Sequence, residues 1–303
     1  MTTHMLPEDL QRSNEYMYSR THINGYIDTH LRETPEYEAM VKQGTSKLID
    51  WLGGTYHASK MARLAQLKAI ISEELVRKIF VASAYFQQPD TFVTATAMMA
   101  HHLNFNDKRD AILTTAEMCA VLCWTGAFTL SKEYPDSSMM FQSNLEFPKQ
   151  LQESINRSMY MPPMVCEPEE VTSNFESGHL TYNDCLILGK RNGHTEDLCL
   201  DVINLQNRIP LKLAEDFLCS VEEVPNKPLD TPEKQRNWDT FKYTSYCMYN
   251  MIVRQGNKFY LTNKPDTRGR MYAQGYHITS QGSAFKKAMV ELHHEEVVDG
   301  VPN

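Results

Sequence analysis

The sequence predicts a mainly α fold with a small β component, an α+β arrangement, on three observations. Across the first 130 residues apolar positions recur at steps of three and four, the period of one helix face. A second stretch, Arg236 to Arg254, carries Trp238, Phe241, Tyr243, Tyr246, Met248, Tyr249 and Met251 at helical spacing. Phe259–Thr262 and Met271–Ile278, around an RGR turn near the C-terminus, have strand-like composition. With 303 residues and 42% hydrophobic content, the chain is long enough for one large or two ordinary domains around a substantial core.

Taken in order, Glu36 to Leu52 predicts a helix stopped by Gly53 and Gly54. Leu64, Leu67, Ile71, Leu75, Ile79, Ala82 and Phe86 form one apolar stripe, with Lys68, Glu73, Glu74, Arg77 and Lys78 off it. This pattern predicts a single amphipathic helix that ends before Pro89. Asn104 to Asp107 supplies turn residues, and the helix after it runs through Met118 to Trp124 (MCAVLCW), apolar on every side and so expected in the core. From Ser137 to Leu180 the motifs PDSS, MPPMV, EPEE and ESG signal an irregular connecting zone. A helix is expected from Leu200 to Leu218, and the polar Pro225–Pro232 stretch separates it from the Arg236–Arg254 helix. Two short strands then flank an RGR turn, and a helix from Ser283 to His294 follows. His101 and His102 read as a helix terminus, and His293 and His294, with Glu295 and Glu296 beside them, as a solvated helix end. Adjacent histidines point to different helix faces, and no third ligand matches them.

Charge narrows the function classes. The net charge of −8 argues against a protein that simply coats nucleic acid. Yet from Arg254 to Lys287 seven positive residues face one negative, which leaves −14 on the other 269 residues and marks a local anion site. The seven cysteines are scattered with no CxxC pair, and are expected to be reduced, buried and small-apolar in role. No phosphate loop, GxSxG elbow or HExxH occurs. Neither a signal-like start nor a run of about 18 apolar residues is present, so the expectation is a cytosolic protein that does not enter a membrane.

The basic cluster centres on KPDTRGRMY, Lys264 to Tyr272. Arginine offers a planar fork of donors that matches phosphate oxygens, and Gly269 between Arg268 and Arg270 permits φ > 0 or close approach to a phosphodiester. Asp266 reads as the carboxylate that holds a guanidinium in place. Tyr272 adds a flat ring for a sugar or base, and Lys286 and Lys287 are placed to reach the same polyanion.

DTRGRMY, followed by Gln281, Gly282 and Ser283 and then by AFKKAMVEL (Ala284 to Leu292), resembles the DxxGR motif and following helix of the single-subunit RNA polymerases of bacteriophages and mitochondria. MPPMV (Met161 to Val165) and VINLQN (Val202 to Asn207) resemble the proline-rich segment and IN..QN helix that precede the thumb in that family. The resemblance implies that Asp266, Arg268, Gly269, Arg270, Tyr272, Gln281 and Lys287 bind template DNA and the RNA:DNA hybrid, and that Asn204 and Gln206 also contact nucleic acid. It further implies a helical N-terminal domain with its connecting region over 1–200, reduced thumb-like helices over 201–258, and the start of a palm over 259–303.

In the family the metal-binding carboxylates and the nucleotide-binding Lys and Tyr lie downstream of DxxGR, where this sequence offers only Glu291, Glu295, Glu296 and Asp299 as acids. The organisation resembles the two-chain polymerase of podoviruses that transcribes middle genes. The resemblance therefore implies no catalytic residue and no metal in this chain, which alone would be inactive. Magnesium would be ligated by a second subunit carrying the catalytic palm and fingers. Promoter-delivery or single-stranded-DNA-binding factors are further possible partners, and the cytoplasm of an infected bacterium is the implied location. Two other classes remain open at this point: a stand-alone single-stranded nucleic-acid-binding or transcription-regulatory module, and a purely structural interaction protein.

Overall fold

The computed structural model describes residues 6–132, 137–158, 160–189, 195–294 and 300. By contacts the chain divides into two compact units, Arg20–Ser158 and a discontinuous unit made of Met1–Ser19 with Met159–Asn303. About half of the chain is helical and a small part is strand, so the mainly α class with a small β component holds. Among the described residues no helix is long and apolar enough to cross a membrane.

The discontinuous unit begins with α1 (Pro7–Tyr18), which has proline in its first turn beside Glu8 and Asp9, where a fixed φ and negative charge suit a helix N-terminus. The continuous unit follows as α2 (Arg20–Glu33), α3 (Pro35–Leu52), α4 (Ala58–Lys68), α5 (Glu73–Ser83), β1 (Asp90–Thr91), α6 (Phe92–Met99), α7 (Lys108–Leu122), β2 (Phe128–Ser131), β3 (Met140–Ser143) and α8 (Lys149–Arg157). The strands form an antiparallel sheet in the order β1-β3-β2. Phe141 on the central strand is fully buried, with ring centroids 4.7 Å from Phe128 and 5.4 Å from Phe86. Arg77, 4% exposed, is held by Glu38 at 2.9 Å and Glu74 at 3.2 Å, so this buried cation is part of the helix packing.

Back in the discontinuous unit come α9 (Leu200–Asn207), β4 (Leu211–Leu213), α10 (Glu215–Ser220), α11 (Pro232–Arg254), β5 (Asn263–Pro265), β6 (Met271–Ala273), α12 (Ala284–Ala288) and β7 (Val290–Leu292). β4 pairs with β7 and β5 with β6, both antiparallel. The core of this unit gathers Leu213, Met248, Tyr249, Ile252, Phe259, Leu261, Ile278 and Met289. The inward residues of α11 therefore pack within the chain, as their helical spacing predicts.

Several expectations need correction. The single helix drawn through Leu64 to Phe86 is two helices, because the Ser72 side chain caps α5 by accepting from the Leu75 N–H, while Leu64, Leu67, Leu75 and Ile79 still share one buried surface. MCAVLCW is not buried all round: Met118, Cys119 and Leu122 are in the core, whereas Ala120 is exposed and Trp124 is 78% exposed. The supposed Leu200–Leu218 helix is broken by Pro210 into α9, β4 and α10. The Ser283–His294 helix stops at Ala288, after which Val290–Leu292 pair with β4, so His293 and His294 follow a strand rather than end a helix. β3 and α8 occupy part of the zone read as irregular. All seven cysteines are free, but only Cys119 and Cys166 are buried, and Cys199, Cys219 and Cys247 are exposed. Part of the PDSS stretch, and Glu295, Glu296 and Asp299, lie outside the described residues.

Candidate nucleic-acid interface

The basic segment is a hairpin with a built turn. β5 and β6 are paired through Pro265↔Met271, Lys264↔Tyr272 and Asn263↔Ala273. The backbone closes the connection with the Asp266 N–H donating to the Arg270 carbonyl at 2.8 Å and the Gly269 N–H donating to the Asp266 carbonyl at 2.9 Å. Gly269 sits at φ +80°, which costs a residue with a β-carbon and costs glycine nothing. This is the three-residue hairpin in which a turn is followed by a left-handed residue.

Asp266 organises the loop from inside. Its Oδ1 accepts the backbone N–H groups of Arg268 at 2.9 Å and Arg270 at 3.0 Å. Its Oδ2 accepts Arg268 Nε at 3.3 Å and Nη2 at 3.2 Å, and Arg270 Nε at 2.9 Å. The carboxylate is 15% exposed while the two guanidinium side chains are 70% and 53% exposed, so the anion is spent inward and the cations face solvent. The Arg270 backbone N–H and guanidinium hold the Asp266 carboxyl below its ordinary range, and Asp266 and Tyr272 raise the pKa of Arg270. The Arg270 guanidinium lies 5.7 Å from the Tyr272 ring centroid, a cation–π distance. Two arginine forks preset on one carboxylate can meet a phosphate with little further ordering.

Gln281 takes part differently from a contact residue. Just past β6 the Gln274 N–H donates to the Thr262 carbonyl, whereas on β6 the Ala273 N–H and the Met271 carbonyl point away from β5. Gln281 fills both outward groups: its Oε1 accepts from Ala273 at 3.1 Å, and its Nε2 donates to Met271 at 3.1 Å. One side chain thereby stands in for a third strand. Gln281→Ala is expected to speed amide exchange at Ala273 about fivefold and leave Gln274 little changed, since one net hydrogen bond is worth about 1 kcal/mol. Equal exchange at both amides would remove this role.

The remaining residues separate. Lys287 is exposed on α12, and no hydrogen bond or ion pair joins it to the 266–272 loop. Lys286 turns inward: its ammonium lies 5.2 Å from the Phe241 ring and 4.9 Å from that of Tyr276 and donates to the Tyr276 carbonyl, and burial lowers its pKa. Asn204 bonds both the N–H and the carbonyl of Val171 at 2.9 Å, a structural use of its side chain. Lys264, which charge counting alone had noted, is 14% exposed and donates to Asp184 at 2.6 Å and the Cys185 carbonyl at 2.8 Å. Its significance was invisible in the sequence because Asp184 is 80 residues away. Two of the seven basic residues are thus committed internally.

Among the described residues no group of three or more His, Cys, Asp or Glu is arranged to hold a metal ion.

No protein-family model matches the chain. Over 165 residues the chain is 26% identical to a protein of Gelasinospora sp. (strain G114) described as a "Probable DNA-directed RNA polymerase". The matched stretch is 52% of this chain and 20% of that protein, so the chain spans about a fifth of the length of this relative. Across half its length, then, the chain is similar to an RNA polymerase.

Proposed function

We propose that this chain is a subunit of a DNA-dependent RNA polymerase, in which Arg268 and Arg270 hold the phosphates of template DNA and of the RNA:DNA hybrid. The observation that carries the reading is the Asp266-centred loop, which points two preset guanidinium forks outward. Likeness to a protein described as an RNA polymerase supports it. In this reading 1–200 is the N-terminal domain with its connecting region, 201–258 a reduced thumb and 259–303 the start of the palm. A second chain supplies the catalytic carboxylates and their magnesium, as in a two-chain podovirus polymerase working in the host cytoplasm. Asp266 and Gln281 position, Gly269 allows the turn, Arg268 and Arg270 bind, and Tyr272 and Lys287 support them.

The test is primer extension by the purified chain with and without candidate second subunits. Activity is expected of the pair alone, and Arg270→Ala is expected to reduce it. Arg268→Ala and Arg270→Ala should each lower the slope of log affinity against log salt by about one, the loss of one phosphate contact. Extension by the isolated chain, or full activity of the pair carrying Arg270→Ala, sinks the assignment. Salt-dependent binding with no partner that confers synthesis would favour the stand-alone binding module.

A further inference from the structure

Beside the arginine loop lies a half-enclosed cleft of about 270 Å³. One wall is the extended segment that leads into β5 and the loop. Successive side chains of an extended chain alternate sides. Phe259 and Leu261 accordingly enter the core, while Tyr260, Thr262 and Lys264 line the cleft. The other walls are aromatic pairs. Tyr160 and Tyr276 stack with centroids 3.7 Å apart and planes 11° apart, and His179 and Tyr182 stack at 4.8 Å and 16°. Tyr276 is set there by the tight backbone at Gly275, where an added β-carbon would fall 2.1 Å from the Ile278 carbonyl oxygen.

We infer that this cleft seats one unstacked nucleobase of the strand whose phosphates Arg268 and Arg270 hold, an inference that rests on the proposed function. An aromatic lining of Tyr160, His179, Tyr182, Tyr260 and Tyr276 suits a planar heterocycle and does so for any base, because every base has a π face. The volume lies just below the usual range for small-molecule pockets, which admits one ring system and excludes a folded peptide. The Asp184 carboxylate, 60% exposed and held by Lys264, puts an acceptor at the wall for an exocyclic amine. Continuity decides the occupant. Lys264 belongs to the cleft and is paired to Tyr272 in the hairpin, and it lies about 7 Å along the strand from Asp266, the span of roughly two stacked nucleotides. A strand gripped at the loop thus passes the mouth of the cleft within one or two nucleotides.

The experiment compares binding of the full chain to a cytosine 12-mer and to a 12-residue abasic strand with the same phosphates. Wild type is expected to prefer the based strand about tenfold, a single stacking interaction. Tyr276→Ala should abolish that preference, and Arg268→Ala should weaken both strands equally while keeping it. A second measurement needs no variant: a 12-mer carrying 5-iodocytosine, irradiated on the wild-type chain, should cross-link to Tyr160, His179, Tyr182, Tyr260 or Tyr276. Equal affinity for the two strands, or cross-links only elsewhere, such as at Trp238, overturns the base site. In that case a loss caused by Arg268→Ala would still uphold the phosphate grip. If Arg268→Ala weakens neither strand, the proposed function itself fails.

Discussion

Asp266→Ala is expected to weaken binding of single-stranded nucleic acid about tenfold, although it removes a negative charge from a site for an anion. Charge bookkeeping alone gives the opposite sign: deleting a carboxylate beside two arginines raises the local positive potential and should tighten binding. The loop geometry reverses that expectation. The carboxylate accepts two backbone N–H groups and both guanidinium groups, so without it the turn loses its internal acceptor and the two long side chains regain their rotamer freedom. Asp266→Asn separates the two effects, because an amide oxygen still accepts the backbone N–H groups of Arg268 and Arg270 but the charge-assisted bonds are gone. Its affinity should fall between wild type and Asp266→Ala. Titration by fluorescence anisotropy at fixed salt decides the matter. Tighter binding by Asp266→Ala would show that the carboxylate merely dilutes the positive charge.

The largest effect on stability is expected at Glu15 on α1. This carboxylate is fully buried. It accepts Gln11 Nε2 at 2.8 Å, the Leu180 N–H at 3.0 Å, and the Thr181 N–H at 2.8 Å together with the Thr181 hydroxyl, and it has His179 Nδ1 at 3.4 Å. Burial alone would raise its pKa, but the nearby His179 ring and the hydrogen bonds from Thr181, Gln11 and Leu180 win and lower it from 4.5 to about 2. A depressed carboxylate stabilises the fold above its unfolded pKa. That stability drains away as pH falls from about 4.5 through 2 and amounts to about 3 kcal/mol. Glu15→Ala should cost about 3 kcal/mol at neutral pH, because the buried N–H groups of Leu180 and Thr181 lose their acceptor. Glu15→Gln should flatten the acid limb of the stability curve between pH 5 and 2, in chemical denaturation followed at several pH values. An acid limb unchanged in Glu15→Gln would locate acid sensitivity elsewhere.

What the sequence made legible was what is local. The turn at Asp266–Arg270 follows from an aspartate that bonds the backbone two residues on and a glycine free to take φ > 0, and both signals sit within five positions. α3 and α11 follow from periodicity, although α11 begins at Pro232, four residues before the predicted start and at the edge of the stretch read as a break. The apolar stripe from Leu64 to Phe86 misled because its period survives the break, and the small signal that mattered was the Ser72 cap ahead of Glu73 and Glu74. Residues 290–292 were read as helix because their strand partner, β4, is about 80 residues upstream. Within the site, the arginines could be named from composition. The inward turn of Lys286 onto Phe241 and Tyr276, the Lys264–Asp184 pair and the Gln281 strap depend on folded neighbours and leave no pattern along the chain.

The discontinuous unit also sets an order of events during synthesis. α1 leaves the ribosome well before the groups that satisfy it: Thr181 for Glu15, and Gln255 for Asn14, which bond at 3.1 Å. At translation speeds of about 5–20 residues per second, α1 waits about 10–50 s for Gln255, while residues 20–158 can fold behind it in the meantime. The nascent chain therefore carries an amphipathic segment with a buried-type carboxylate still in water, and the hairpin that bears Arg268 and Arg270 emerges at about the time that segment can dock.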